Sequence, residues 1–152
     1  MKFFLISLFL FALHLEAGAN KNYFIGEINK ETLFNDYEQF MFAYEDFNPA
    51  KKTILNLSDI EITIMFGIWC HDSKREVPRM LKILDSYSFP KEKLSLIAVN
   101  RLKTKPHKDI EKYALEFTPT IIFFRDSSEI GRIVEKPKKS LEIDILEILS
   151  LK

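Results

Sequence analysis

The sequence predicts an α/β domain, a mixed central sheet with helices on both faces, preceded by a helical N-terminal extension. Three observations carry this. Residues 60–66 read IEITIMF, β-branched and apolar, too short for an ordinary helix and bounded by Gly67, the pattern of a buried central strand. Residues 94–99 and the run IIFF at 121–124 repeat that character. Between these runs apolar residues recur at three- and four-residue spacing, so helices and strands alternate along the chain.

Taken in order, Tyr23-Phe24-Ile25 and Ile28 suit a short edge strand. A first helix is expected from Lys30 to about Tyr44, with Leu33, Phe34, Tyr37, Phe40 and Met41 on its apolar stripe. Asn48-Pro49 reads as N-cap and first residue of a short second helix carrying Ile54 and Leu57, closed by Ser58-Asp59. After the central strand, Val77, Met80, Leu81 and Leu84 define an amphipathic helix with Pro78 one turn in, where the missing N–H predicts a kink. The strand at 94–99 follows through a right-handed crossover, which makes it parallel to the first. A short helix is expected from His107 to about Leu115, then strand 121–124, a turn at Asp126-Ser127-Ser128, a strand near 130–134, and a closing helix with Leu141, Ile145, Ile148 and Leu149 inward.

A chain of 152 residues is long enough for one domain with a real core. Its start, MKFFLISLFLFALHLEAGAN, has Lys2, an apolar run from Phe3 to Leu13 and then Ala17-Gly18-Ala19, which reads as a secretory signal peptide cut after Ala19. The run is well short of the ~20 apolar residues that span a bilayer, and no cysteine follows it for lipid attachment. The expected organisation is a signal peptide at 1–19, an N-terminal extension at 20–53 and the main domain at 54–152, with the mature protein exported to a periplasm or secreted and not stably inserted in a membrane.

Lys plus Arg and Asp plus Glu balance at 22 each, which argues against nucleic-acid binding. The local runs Arg101, Lys103, Lys105, Lys108 and Lys136, Lys138, Lys139 read as solvated loop and helix-start charges. The chain has one cysteine, Cys70, directly after its one tryptophan, Trp69. A single Cys excludes an internal disulfide, and in an exported protein the odd thiol is reactive, pairs between molecules, or is a small core residue. With three His, one of them in the leader, there are too few ligands beside that Cys for a zinc site, and no cofactor is implied.

Four features occur in the right order: a buried strand ending in a turn, Trp69-Cys70-x-x-Ser73 at a helix start, Pro78 within that helix, and Thr118-Pro119-Thr120 before the final hairpin. Over residues 54–150 the chain thereby resembles the thioredoxin superfamily. The stretch CHDSKREVP is similar to a group of exported bacterial thioredoxin-like proteins with the pattern WC-x-DS-x-REVP. The resemblance implies a thioredoxin-like fold in which Cys70 is the nucleophile, Trp69 packs beside the sulfur, and Pro119 follows a cis bond against the site, with Thr118 offering backbone groups to an extended substrate. It also exposes departures. Ser73 stands where the family has its second cysteine, and Ile64 and Ala98 stand where a buried Asp and Lys often relay protons.

Exchange begins when a thiolate attacks a disulfide and forms a mixed disulfide, which a second thiol must resolve. Ser73 cannot be that thiol, although its hydroxyl could donate to the sulfur; it could equally be a helix cap, since Ser73-Lys74-Arg75-Glu76 fits a capping box. Cys70 would therefore depend on a thiol of the client protein or on a low-molecular-weight thiol. At a helix start a thiolate gains typically ~0.3–1 kcal/mol from the dipole. Protonated His71 would add to that gain and Asp72 would oppose it, unless Asp72 is simply a first-turn acid. These residues support a monothiol exchange or isomerase activity, with a non-catalytic client-binding module as the other reading.

Overall fold

The computed structural model describes residues 23–50 and 55–151. The expected leader and its cleavage point lie outside these residues. Along the chain run β1 (Gly26–Glu27), α1 (Lys30–Asp36), α2 (Glu38–Asp46), β2 (Ile60–Phe66), α3 (His71–Ser86), β3 (Leu94–Ala98), α4 (His107–Tyr113), β4 (Thr120–Arg125), β5 (Ser128–Val134) and α5 (Leu141–Leu149). The strands form a single five-stranded sheet in the order β1-β3-β2-β4-β5. β2 sits at its centre, parallel to β3 through α3 and antiparallel to β4, while β4 and β5 form an antiparallel hairpin. Asp126 and Ser127, the residues between those strands, both have positive φ, the mirror-image turn that matches strand twist.

The side chains of β2 alternate between two cores, as a strand buried on both faces requires. Ile60, Ile62, Ile64 and Phe66 join Val77, Met80, Leu81 and Leu84 of α3 and Leu141 and Ile145 of α5. Met65 joins the opposite cluster with Ile97, Val99 and Leu115, against which Ile110 and Tyr113 of α4 pack. Pro78 is buried inside α3, and the helix runs on past it to Ser86. Loss of one backbone donor there is offset by the apolar face the helix buries.

Several expectations need correction. The first helix is two helices, because Tyr37 leaves helical geometry (φ −137°, ψ 79°). Its hydroxyl accepts from the Phe24 N–H at 3.2 Å, tying the break to the segment before β1. Hydrophobic periodicity survives such a break, since Leu33 and Phe40 both stay buried on the same core, and so it could not reveal it. Asn29 caps α1 by accepting from the Thr32 N–H at 2.8 Å. The short second helix is absent from residues 48–50 and 55–57; residues 51–54, including Ile54, lie outside the described residues. The edge strand is Gly26–Glu27, antiparallel to β3, between the expected Tyr23-Phe24-Ile25 and Ile28, whose N–H donates to Leu96 O at 2.9 Å. α4 stops at Tyr113, because Ala114 is left-handed (φ 48°).

The N-terminal extension shares the main core. Phe40 of α2 is fully buried and meets Phe66 of β2 edge-on, ring centroids 5.7 Å apart. Among the described residues no helix is long and apolar enough to cross a membrane.

Candidate active site

The site is built at the C-terminal end of β2, where the strand passes into α3. Backbone pairing continues one step beyond the strand, the Val99 N–H donating to Phe66 O at 2.8 Å. The chain then turns through Gly67-Ile68-Trp69. A Cβ on Gly67 would lie 2.5 Å from Cε2 of Trp69, so the turn closes only because residue 67 has no side chain. The indole lies over that glycine and is anchored by its Nε1–H, which donates to Val99 O at 3.0 Å. The Arg101 guanidinium carbon stands 5.3 Å from the ring centroid.

Cys70 is the N-cap of α3, with extended backbone (φ −84°, ψ 130°), and its carbonyl accepts the first helical bond from the Lys74 N–H at 3.1 Å. Cys70 is half-buried. Its S–H donates to Thr118 O at 3.1 Å. The Thr118–Pro119 peptide bond is cis, and both residues are buried. Trp69, Cys70, Thr118 and Pro119, separated by about fifty positions in sequence, therefore meet because β4 begins beside the end of β2, with Met65 opposite Thr120 in register.

Ser73 goes elsewhere. It is the third residue of α3, fully buried, and its hydroxyl accepts from the Gly67 N–H at 3.1 Å. Among the described residues no hydrogen bond joins it to Cys70. The expected capping box is absent too: the cap is Cys70, and Glu76 turns to Arg75, whose Nε donates to it at 2.5 Å. Asp72 is held by the same arginine at 2.7 Å, so its charge is matched within the first turn. The His71 side chain is 88% exposed, with Nδ1 3.9 Å from Asp72. The structure thus brings Trp69, Cys70, Thr118 and Pro119 together, leaves His71 in solvent, and pairs Asp72 and Ser73 with groups other than the sulfur.

Glu76, expected only as a capping-box partner, has a different role. It is 3% exposed, compensated by Arg75 and more distantly by Arg79 at 3.6 Å, and its Oε2 is buried without a hydrogen-bond partner. Arg75 consequently joins an exposed-edge acid, Asp72, to a buried one. The arginine guanidinium stays firmly charged, stabilised first by its bond to Glu76. Only the i, i+3 spacing of Asp72 and Arg75 hinted at this in the sequence.

Ile64 and Ala98, at the positions of the familiar relay, are both fully buried in the apolar core. Neither can carry a proton. Among the described residues no group of His, Cys, Asp and Glu is placed to hold a metal ion.

The extension supplies a wall next to this turn. A cavity of about 370 Å³ lies between the α1–α2 junction and the active-site turn, lined by Tyr23, Asp36, Glu38, Phe40, Ile68 and Lys74 among others. A neighbouring cavity of about 350 Å³ runs from Asp46 and Phe47 to His71, Lys74 and Arg79.

No protein-family model matches the sequence, and no curated protein is similar to it. Solved structures are similar in shape. Thioredoxin of Plasmodium falciparum superposes with TM-score 0.45 at 20% identity, over 59% of this chain and 81% of that one. Mitochondrial thioredoxin 3 of Saccharomyces cerevisiae, in its oxidised form, gives 0.44 at 20% identity over 59% and 78%. Trxlp of Edwardsiella tarda gives 0.45 at 13% identity over 74% and 91%. The strand order, the parallel β2–α3–β3 unit, and the meeting of a helix-start cysteine with a cis-proline loop make this chain an α/β protein of thioredoxin-like fold.

Proposed function

We propose that this chain is an exported thiol–disulfide exchange protein of the monothiol type, with Cys70 as its nucleophile. The observation that carries the reading is the placement of the sulfur: on a half-buried residue at the N-cap of α3, 3.1 Å from Thr118 O on the loop that leads into Pro119. The helix start favours negative charge at that point, and the acid two residues on, Asp72, is paired with Arg75. The export reading comes from the leader, and the subgroup reading from CHDSKREVP.

In the reaction the Cys70 S–H gives its proton to solvent, and the thiolate attacks one sulfur of a client disulfide. A Cys70–client mixed disulfide forms as the client's S–S bond breaks, and the second client sulfur leaves with the electron pair as a thiolate. A client thiolate or a low-molecular-weight thiol then attacks the client-side sulfur and releases Cys70 as thiolate. When the attacker is the client's own cysteine, the cycle rearranges a disulfide without net oxidation or reduction. Trp69 walls the sulfur, and Thr118 and Pro119 flank the approach of an extended client segment.

The test is mixed-disulfide formation between the purified protein and an aromatic disulfide, followed by release with an added thiol. The intact protein should form the adduct faster than its urea-unfolded form does, and Cys70→Ser should form none. Adduct formation no faster than in the unfolded chain would sink the proposal. The second reading, a non-catalytic client-binding module, is favoured by Ser73, whose hydroxyl serves Gly67 rather than the sulfur. It requires client binding that survives Cys70→Ala in a protein whose sulfur reacts slowly.

A further inference from the structure

We propose that the loop after β3, from Arg101 to Lys105, is a docking surface for an acidic segment of the client protein whose sulfur meets Cys70; this rests on the exchange reading above. Residues 100–108 read NRLKTKPHK, with no carboxylate among them. Among the described residues Arg101, Lys103, Lys105 and Lys108 have no ion pair, while Arg75, Arg79, Arg125 and Arg132 each face a carboxylate. The chain as a whole is neutral, so this cluster arises from placement and not from an excess of base.

The loop is a built element. Asn100 is its hub: Oδ1 accepts from the N–H groups of Thr104 at 2.8 Å and Lys105 at 2.9 Å, and Nδ2 donates to Thr104 Oγ1 at 3.0 Å. Its backbone closes the loop further, donating to Lys105 O at 3.1 Å and accepting from the Lys103 N–H at 2.9 Å. Holding like charges in a pinned loop is unfavourable by itself, and carboxylates from a partner would relieve the repulsion.

Its position links the loop to the chemistry. Val99, one residue before Asn100, holds the Trp69 indole, and Arg101 stands over that ring. Two large apolar side chains are exposed as well, Leu102 of the loop at 78% and Phe117, next to the Thr118 that bonds the sulfur, at 49%. Of the acids around the site, Asp72 is held by Arg75 and Glu111 lies 3.4 Å from His107, while Asp109 and Glu116 follow outside the run 100–108. On the seam between the extension and α3, by contrast, Asp36, Glu38 and Asp46 line the cavities beside the active-site turn. The loop is basic and its Arg101 stands over the indole next to Cys70, so the occupant that fits both features is the client polypeptide itself, with acidic residues close to its cysteine.

The experiment uses the full protein and two synthetic peptides, each carrying one cysteine activated as an aromatic mixed disulfide. The peptides are identical except that several Glu residues in one are Gln in the other. The readout is the ratio of their rates of adduct formation with Cys70, at low and high salt. The expected result is a preference for the acidic peptide of about tenfold or more at low salt, shrinking as salt is added and collapsing when Arg101→Gln, Lys103→Gln and Lys105→Gln are combined in a protein that melts like the parent. Equal rates in the parent, or a preference that survives the triple substitution, would overturn the proposal. So would peptide indifference together with loop-dependent sedimentation on phosphatidylserine vesicles, which would make the surface a membrane one. If neither peptide reacts, the exchange reading fails; binding of the acidic peptide to the Cys70→Ala protein, read by fluorescence anisotropy, then decides the loop's role separately, and equal affinity for both peptides there would overturn it.

Discussion

Ser73 and Gly67 are joined by a hydrogen bond of 3.1 Å in which the buried hydroxyl accepts the glycine's N–H, so Ser73 braces the turn between β2 and α3. Removing it with Ser73→Ala strands a buried backbone donor. The expected loss is about 1–3 kcal/mol of stability, measured by chemical denaturation. The rate of Cys70 adduct formation should stay within about threefold of the parent, a change worth less than ~1 kcal/mol. A large loss of rate with little loss of stability would mean that the hydroxyl acts on the sulfur.

The opposite face of the same turn is closed by Trp69. Gly67→Ala places a methyl group 2.5 Å from the indole, and the ring cannot swing away without losing its bond to Val99. Overpacking of this kind costs about 1–3 kcal/mol. The change should also shift the emission of the only tryptophan, and fluorescence during urea unfolding reads both effects at once.

Arg75 should matter more to stability than its surface position suggests. Arg75→Met leaves Glu76 buried with only Arg79 at 3.6 Å, and breaking such a pair costs roughly 3–5 kcal/mol. Combining it with Glu76→Met should recover most of that loss, because an apolar pair of similar volume is tolerated where a lone charge is not. Melting temperatures of the two single variants and the double variant check the coupling.

Tyr44 links α2 to α3 through Asp85, its hydroxyl donating to the carboxylate at 2.5 Å. Burial, and then Asp85, push its phenol up to about 12. An unfolded tyrosine ionises near 10. Because the folded state holds this proton more tightly, its stabilising contribution is complete below about pH 10 and is lost as the pH climbs through about 12. A spectrophotometric phenolate titration should show one late-ionising tyrosine, and Tyr44→Phe should abolish that late step while leaving the earlier ones. A Tyr44→Phe titration that keeps the late step would assign it to another tyrosine.

Much of the architecture is local in origin and so was legible in sequence. β2 ends where Gly67 interrupts a β-branched run, and Val77, Met80, Leu81 and Leu84, expected on the apolar face of α3, are among its buried residues. The placement of Trp69 and Cys70 at the start of α3 was legible for the same reason, since they are neighbours in the chain. The break at Tyr37 was not, because helix periodicity averages over a turn and a single residue can leave the helix while the face continues. The partner of Ser73 was not legible: the sequence offered a helix cap or a donor to the sulfur equally, and neither pattern says which backbone donor lies nearest the hydroxyl, which is the Gly67 N–H.

By itself, then, the sequence determined the α/β class, the central strand, the single sulfur and the absence of a second one at residue 73, all properties of residue type and short-range order. Only the tertiary structure decided what those residues face. It set the Thr118 carbonyl against the sulfur, turned Ser73 to Gly67, tied Asp72 through Arg75 to a buried Glu76, and laid Arg101 over Trp69. The long-range contacts among these follow from strand order: β2 lies between β3 and β4, so loops far apart in the chain are carried to one edge of the sheet, and no local pattern records that they meet.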